Sequence, residues 1–258
     1  MRHWRQRRRL TQLALATELE ISQRHLSFIE TGRSQPSREM VLRLVDELAL
    51  PLRERNEMLV CAGYAPMFPE RRLEAPELTP AREVLDSILA AHSPNPALAV
   101  DRHWKLISAN AAVQLLIAGV AEHLRTGEIN VLRLSLHPEG LAPRIVNIGQ
   151  WREHVLARLA REIELSADPT LIELRSELEH YPIPPDRQRD SIHASAVGGF
   201  AVPLQLVSEA GLLSFIGTTT VFGTAVDVTL SEITIETFFA VDKATSTALA
   251  AMLSGRHD

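Results

Sequence analysis

The sequence predicts two domains: an all-α domain of five helices, followed by a larger α+β domain built on an antiparallel sheet. Three observations carry this. Residues 1–64 hold five segments with helical apolar spacing, separated by capping residues, Gly and Pro. The stretch 65–80, APMFPERRLEAPELTP, carries four prolines and mixed charge and reads as a linker over the surface. Beyond residue 200 the texture becomes rich in Val, Ile, Thr and Phe with partial alternation, the mark of strands. The expected boundaries are 1–66, 67–80 and 81–258.

Each element has a local reason. The first helix is the basic segment from Trp4 to Arg9. Thr11 has the chemistry of an N-cap for a second helix with Leu15, Ala16 and Leu19 on one face. Ser22 caps a third, which buries Leu26 and Ile29, and Gly32 follows at a C′ position. Pro36-Ser37 opens a fourth with Val41, Leu44, Val45 and Leu48 at i, i+3, i+4, i+7. Pro51 and Gly63 bracket a fifth. In the larger domain a helix is expected over 81–91, and two short strands around a turn over 97–110. Asn110 caps a helix carrying Val113, Leu116 and Ile117. Ile148, Trp151, Val155, Leu159 and Ile163 make a helical stripe, and Asp168-Pro169 opens another helix. YPIPPDRQRD (181–190) is a polar, Pro-rich loop. Three strands follow, in AVPLQLVSE, LLSFIGTTTVF and ITIETFFAVD, with Glu209-Ala210-Gly211 as a hairpin turn. LSEITIETFF scores as helix as well as strand. Asp242 caps a last helix running through Met252.

Composition bounds the function. The chain has 258 residues, 45% hydrophobic and 23% charged, ordinary for a globular protein with a well-buried core. The basic opening MRHWRQRRRL is not followed by an apolar run, so no secretory signal is read. No stretch approaches about 18 uninterrupted apolar residues, and no membrane insertion is expected. The single cysteine, Cys61, fits a reducing cytoplasm and excludes a cysteine-built zinc site. No other metal site is read, because the ten histidines are scattered. Motifs for a serine-hydrolase elbow, a P-loop, a zinc protease or a dinucleotide fold are missing, so no enzyme is expected. Net charge is −5, yet residues 1–72 hold thirteen Arg, no Lys and nine acidic side chains, a surplus of +4 against −9 in the remainder. A basic front on an acidic body suits a chain of which one module touches phosphates.

Residues 11–33, TQLALATELEISQRHLSFIETGR, read as two short helices joined by a tight turn, with an exposed polar face on the second. A helix-turn-helix presents side chains to a DNA major groove in this way. Gln pairs bidentately with adenine and Arg with guanine, each worth about 1–3 kcal/mol of discrimination. Gln23, Arg24 and Ser27, at i, i+1 and i+4, are the base-reading candidates, with His25 beside them; Phe28 either touches a thymine methyl or packs. Gln12 is placed to hold a phosphate through its backbone N–H and amide, and Thr31 and Arg33 are further phosphate candidates.

The register TQ…LA…IS…LS.IE.GR.QPS resembles the repressor-type (XRE) helix-turn-helix family of bacterial and phage regulators. The resemblance implies contact roles for Gln12, Gln23, Arg24 and Ser27, and a partly buried Arg5–Glu30 pair tying the first helix to the third. Two departures stand out. Glu20 occupies a turn position where the family often has glycine; a left-handed backbone there costs a non-Gly residue about 1–2 kcal/mol, so another turn geometry is expected. Four residues ahead of Arg5 leave a first helix about a turn short, as with a start downstream of the true one.

Further motifs extend the resemblance. RHLSFIETGRSQPSREM, LPLRERNEMLVCAGYAP, DRHWKLISAN, LHPEGL and FGTAVDVTLSEITIETFF, in this order, are similar to the MmyB-like regulators. There a repressor-type helix-turn-helix precedes a PAS-like ligand-binding domain. The resemblance implies a five-stranded antiparallel sheet enclosing a pocket, a long-chain fatty acid as ligand class, and no other cofactor. It further implies a homodimer on a double-stranded operator. The residues themselves require an apolar tunnel with one polar anchor. Asn110, Arg133, His137, Trp151, Tyr181 and His193 are the anchor candidates. Phe200, Leu204, Leu206, Phe215 and Ile216 line the tunnel or form solid core. Two alternatives remain open at this point: a C-terminal domain that is only a dimerisation body, and an enzyme with a DNA-binding head.

Overall fold

Local capping chemistry starts most of the helices. In the computed structural model, which describes residues 1–182 and 201–255, α1 spans Arg2–Arg7. It stops short of the expected Arg9 because Arg9 itself takes a left-handed backbone, φ 57°. Thr11 Oγ1 accepts the Ala14 N–H at 3.0 Å and opens α2 (Gln12–Glu18). Ser22 does the same for His25 N–H and α3 (Gln23–Glu30), and Ser37 for α4 (Arg38–Glu47). Pro51 precedes α5 (Leu52–Cys61). Gly32 and Gly63, at φ 71° and 83°, turn the chain out of α3 and α5. Leu15, Leu19, Leu26, Val41, Leu44, Val45, Leu48 and Leu59 close into one buried cluster.

The described residues divide into two compact units. The first comprises Met1–Leu73 with Glu164–Ser166 and Gly223–Ser231; the second comprises Glu74–Ile163, Ala167–Phe222 and Glu232–Asp258. The front of the expected linker is tied down within the first unit. Asn56 Oδ1 accepts the N–H groups of Met67 and Phe68 at 2.9 and 3.0 Å, and its amide donates to the Phe68 carbonyl at 2.7 Å. Further along, a single 3-10 turn, Pro76–Leu78, leads into α6 (Thr79–Ala91).

The second unit carries a five-stranded antiparallel sheet. β1 (Ala97–Val100) and β2 (Leu106–Ala109) form the short strand pair expected over 97–110. Asn110 caps α7 (Ala111–Leu116), and α8 (Glu122–Arg125) and α9 (Val131–Leu136) follow. The Ile148 stripe becomes α10 (Ile148–Ser166), and Asp168-Pro169 opens α11 (Pro169–His180). β3 (Leu204–Ser208) and β4 (Gly211–Val221) are joined by the expected hairpin turn. The ambiguous LSEITIETFF stretch divides: α12 (Val228–Ser231) ends within it and β5 (Thr234–Ala240) takes the rest, before α13 (Lys243–Ser254). Strand order is β2-β1-β5-β4-β3. One face of the sheet, through Leu98, Leu213, Phe215, Leu204 and Leu206, joins Leu159, Leu171, Leu178 and Trp151 of the helices in a single core.

Both outer strands are bordered by other chain. Beside β3, Val146 N–H donates to the Gln205 carbonyl at 2.9 Å, Ile145 bridges Leu206, and the Arg144 guanidinium donates to the Val207 carbonyl at 3.0 Å. Beside β2, Leu106 N–H donates to the Ile129 carbonyl at 2.7 Å and Lys105 bridges Asn130.

Candidate DNA-reading helix and ligand-domain core

The second helix of the pair, α3, is held from behind. Arg5 donates from Nε and Nη2 to the two Glu30 carboxylate oxygens at 2.7 and 3.0 Å, and from Nη1 to the Leu10 carbonyl at 2.7 Å. The expected tie between α1 and α3 is therefore present, and the Glu30 side chain is only 1% exposed. Burial pushes the Glu30 carboxyl up, but hydrogen bonds from Arg5 and Gln12 outweigh it and hold the group below its ordinary range. Leu26 packs inward on the same helix, completely buried.

Gln12 departs from expectation. Its amide donates to Glu30 Oε2 at 2.7 Å, so one of its N–H groups is committed to the clamp. Its backbone N–H lies at the start of α2. The sequence offers no signal for the amide's commitment, because the partner lies eighteen residues away.

The outward face of α3 carries the expected readers. Gln23 and Arg24 are exposed; His25 and Ser27 are partly so. The Arg24 guanidinium lies 5.3 Å from the Phe28 ring centroid, which holds it along the helix and gives Phe28 a packing role. Beyond the helix, the Thr31 hydroxyl donates to the Ser27 carbonyl at 2.8 Å, while Arg33 is exposed.

The turn between α2 and α3 corrects a second expectation. Glu20 is left-handed, φ 54°, the conformation that favours glycine. Two backbone bonds fasten it: Glu20 N–H to the Thr17 carbonyl at 3.0 Å and Ile21 N–H to the Ala16 carbonyl at 2.9 Å. Arg43 of α4 also donates to the Leu19 carbonyl. The fold thus keeps the turn and bears the strain. Glu20→Gly is expected to relieve about 1–2 kcal/mol of it, less about 0.4–1 kcal/mol for the freer unfolded chain. The net gain, about 0.8 kcal/mol from the middle of these ranges, should show as a higher urea midpoint at unchanged m, with DNA affinity unchanged.

The anchor candidates of the larger unit fall into separate places. Asn110 is buried and fully engaged: its oxygen accepts from Ala97 and Val113 N–H, and its amide donates to the Leu89 and Asn95 carbonyls. It serves the backbone and is not offered to a ligand. Trp151 is buried, with Nε1 donating to Ser135 Oγ at 2.9 Å and its ring stacked on His154. Arg133, His137 and Tyr181 do come together. Arg133 forms a two-oxygen pair with Glu177 at 2.8–3.0 Å, the Tyr181 hydroxyl donates to Glu177, and the Tyr181 ring meets His137 edge-on at 5.0 Å. Arg133 and Tyr181 are thereby already committed to a carboxylate of the chain. Burial, then Glu177, pushes the Tyr181 phenol far above its ordinary value. His193 and Phe200 lie outside the described residues. Leu204, Leu206 and Phe215 are buried in the core, and Ile216 is partly exposed.

Sequence reasoning missed two groups. His154, half-buried against Trp151, is held below its ordinary pKa, first by burial and then by Arg158 and Arg161. Arg144 donates to the carbonyls of Val207, Leu116 and Ala118, so its hydrogen bonds go to neutral oxygens. Burial lowers its pKa, against the charge of Glu209, which raises it. Neither stands in a motif, and only the fold brings partners to them.

A helix with an exposed Gln-Arg face, clamped from behind by a buried ion pair and followed by a separate α+β unit, defines a helix-turn-helix DNA-binding transcription regulator. A family model described as a helix-turn-helix domain matches residues 1–58. A second, the MmyB-like transcription regulator ligand binding domain, matches residues 81–252. The chain belongs to the MmyB-like transcription regulators. No curated protein matches it. Among the described residues, no helix is long and apolar enough to cross a membrane.

Proposed function

We propose that the protein is a cytoplasmic regulator that binds a pseudo-palindromic operator as a homodimer and is modulated by a small amphipathic acid, of the fatty-acid class, in its PAS-like second unit. The observation that carries the DNA half is α3: Gln23 and Arg24 stand exposed on a helix whose opposite side is locked by Leu26 and the Arg5–Glu30 pair. A rigid helix reads bases better than a mobile one, because little ordering is left to do on binding. Arg24→Ala is expected to weaken operator binding about 5- to 150-fold, the equivalent of one lost bidentate base contact of about 1–3 kcal/mol. Random DNA should lose far less. Fluorescence anisotropy on both duplexes at one salt concentration reads this, and equal losses on the two would remove Arg24 from base reading.

What supports the ligand half is the match of residues 81–252 to the MmyB-like ligand binding domain, together with a unit whose interior is apolar. Arg144 is the better anchor on chemical grounds. Its hydrogen bonds go to carbonyl oxygens, with Glu209 acting on it only through its charge, and a ligand carboxylate would add a charge-assisted bond to it. Arg133, by contrast, would have to release Glu177 first. Native mass spectrometry of the purified full chain tests the reading: a co-purifying acid lost in Arg144→Gln supports it. Protein free of any such mass, whose operator affinity does not respond to added long-chain acid, would leave the unit as a dimerisation body.

A further inference from the structure

The fold brings His123 together with two metal-ligating side chains of the LHPEGL motif. His123 lies on α8, and His137 and Glu139 stand in the motif that follows α9. One ligand atom from each lies within 4.8 Å of the other two. The backbone holds this arrangement. Ala121 N–H donates to the Glu139 carbonyl at 3.1 Å, so the segment before His123 is bonded to the motif itself. Leu141 N–H donates to the Leu134 carbonyl at 2.8 Å and closes the turn. That turn tolerates only glycine at 140, where a Cβ would fall 2.3 Å from the Leu134 carbonyl oxygen. His123 and His137 meet edge-on at 5.6 Å, and Tyr181 backs His137 from another side.

We infer that His123, His137 and Glu139 form a surface site for a divalent transition-metal ion, zinc above all. Two imidazoles and one carboxylate are a donor set for zinc or a late first-row ion; magnesium and calcium prefer oxygen alone. Ligands around tetrahedral zinc stand about 3.3 Å apart, as Zn–N and Zn–O lengths near 2.0–2.1 Å require. The three groups therefore close by an ångström or so on binding, which exposed His123 and Glu139 can do by side-chain rotation. A fourth position stays open to water or to a donor from outside. One bond must be surrendered: His137 Nδ1 accepts the Glu139 N–H at 3.1 Å. Coordination through Nδ1 takes that lone pair, and coordination through Nε2 places a proton on Nδ1 facing the N–H. The site is thus a micromolar binder, not a nanomolar structural one. Zinc would fasten α8 to the LHPEGL turn. It would also occupy His137, which is then not free to anchor an acid; the inference does not rest on the proposed DNA or ligand function.

The test uses the full chain, stripped with a chelator and titrated with zinc alone against a chromophoric competitor. One equivalent of micromolar zinc is expected, unaffected by excess magnesium. His123→Ala and Glu139→Gln, both exposed positions, should each weaken it by about tenfold or more, in the range of a lost ligand-shell group. Zinc should also raise the unfolding midpoint of the parent chain and not that of His123→Ala. Equal zinc affinity in the parent and both variants would place the metal elsewhere and overturn the assignment, as would a parent chain that binds no zinc at micromolar concentration.

Discussion

Glu30→Ala should destabilise the first unit by about 3 kcal/mol, the lower end of the range for breaking a buried ion pair. The variant leaves the Arg5 guanidinium, 8% exposed, with only the Leu10 carbonyl among its present partners, and leaves the Gln12 amide without its acceptor. The loss is then mostly the cost of a stranded charge and not the worth of the pair. Replacing both partners with apolar residues, Arg5→Met with Glu30→Leu, should therefore recover most of it. Urea denaturation followed on the first unit separates the two cases. A single variant as stable as the parent would show that the clamp contributes nothing. The clamp also has a pH signature. The folded carboxyl titrates below its ordinary value, so its stabilisation is fully present above the unfolded value of about 4.3. It is lost as pH falls through the lower folded value. Acid unfolding of this unit should begin below about pH 4, and Glu30→Gln should flatten that limb of the profile.

Arg158→Met should cost the second unit about 4 kcal/mol by the same mechanism, within the 3–5 kcal/mol range for a stranded buried charge. Arg158 of α10 donates to both oxygens of Glu236 on β5, at 2.8 and 2.7 Å, and reaches Glu162 at 3.3 Å. It also lies 4.5 Å from the Trp104 ring centroid. Trp104 Nε1 in turn donates to Glu162 at 2.8 Å. Removing the guanidinium takes away the cation shared by the buried Glu236 carboxyl and the partly exposed Glu162 carboxyl. Burial already pushes the Glu162 carboxyl up, and in the variant, without Arg158 to lower it, that carboxyl should rise further. A raised carboxyl is harmless below its unfolded pKa of about 4.3 and destabilising as pH climbs from there through the folded value. The deficit of Arg158→Met should therefore be larger at pH 8 than at pH 5. A pH-independent deficit would mean that lost packing on Trp104, and not stranded charge, is responsible.

The two clamps show what was legible in the sequence and what was not. Caps were legible because their chemistry is local: Thr11, Ser22, Ser37, Asn110, Asp168 and Asp242 each bond an N–H two or three residues on. Strand β5 was half legible, since its Thr-Ile-Glu-Thr-Phe-Phe pattern fits a strand while the preceding Val-Thr-Leu-Ser forms a helical turn capped by Asp227. The Arg5–Glu30 pair was reachable only through family resemblance. The Arg158–Glu236 pair, 78 residues apart, carries no local signal. Side-chain commitments were equally hidden: Gln12 and Asn110 have the right chemistry for phosphate and ligand, and the fold bonds the first to Glu30 and the second to four backbone groups. The reading of α3 fared better because exposure follows from helical period, and Leu26 fixes which side faces in.

The bordered sheet has a bearing on assembly. With β3 bordered by the Arg144–Val146 segment and β2 by the Ile129–Asn130 segment, neither outer strand offers its whole edge to a strand of another molecule. Strand addition along either of these edges would first have to peel one of these segments away. Contacts made by side chains away from these edges are individually replaceable, one residue at a time, whereas a ladder shared along an edge would be all or nothing.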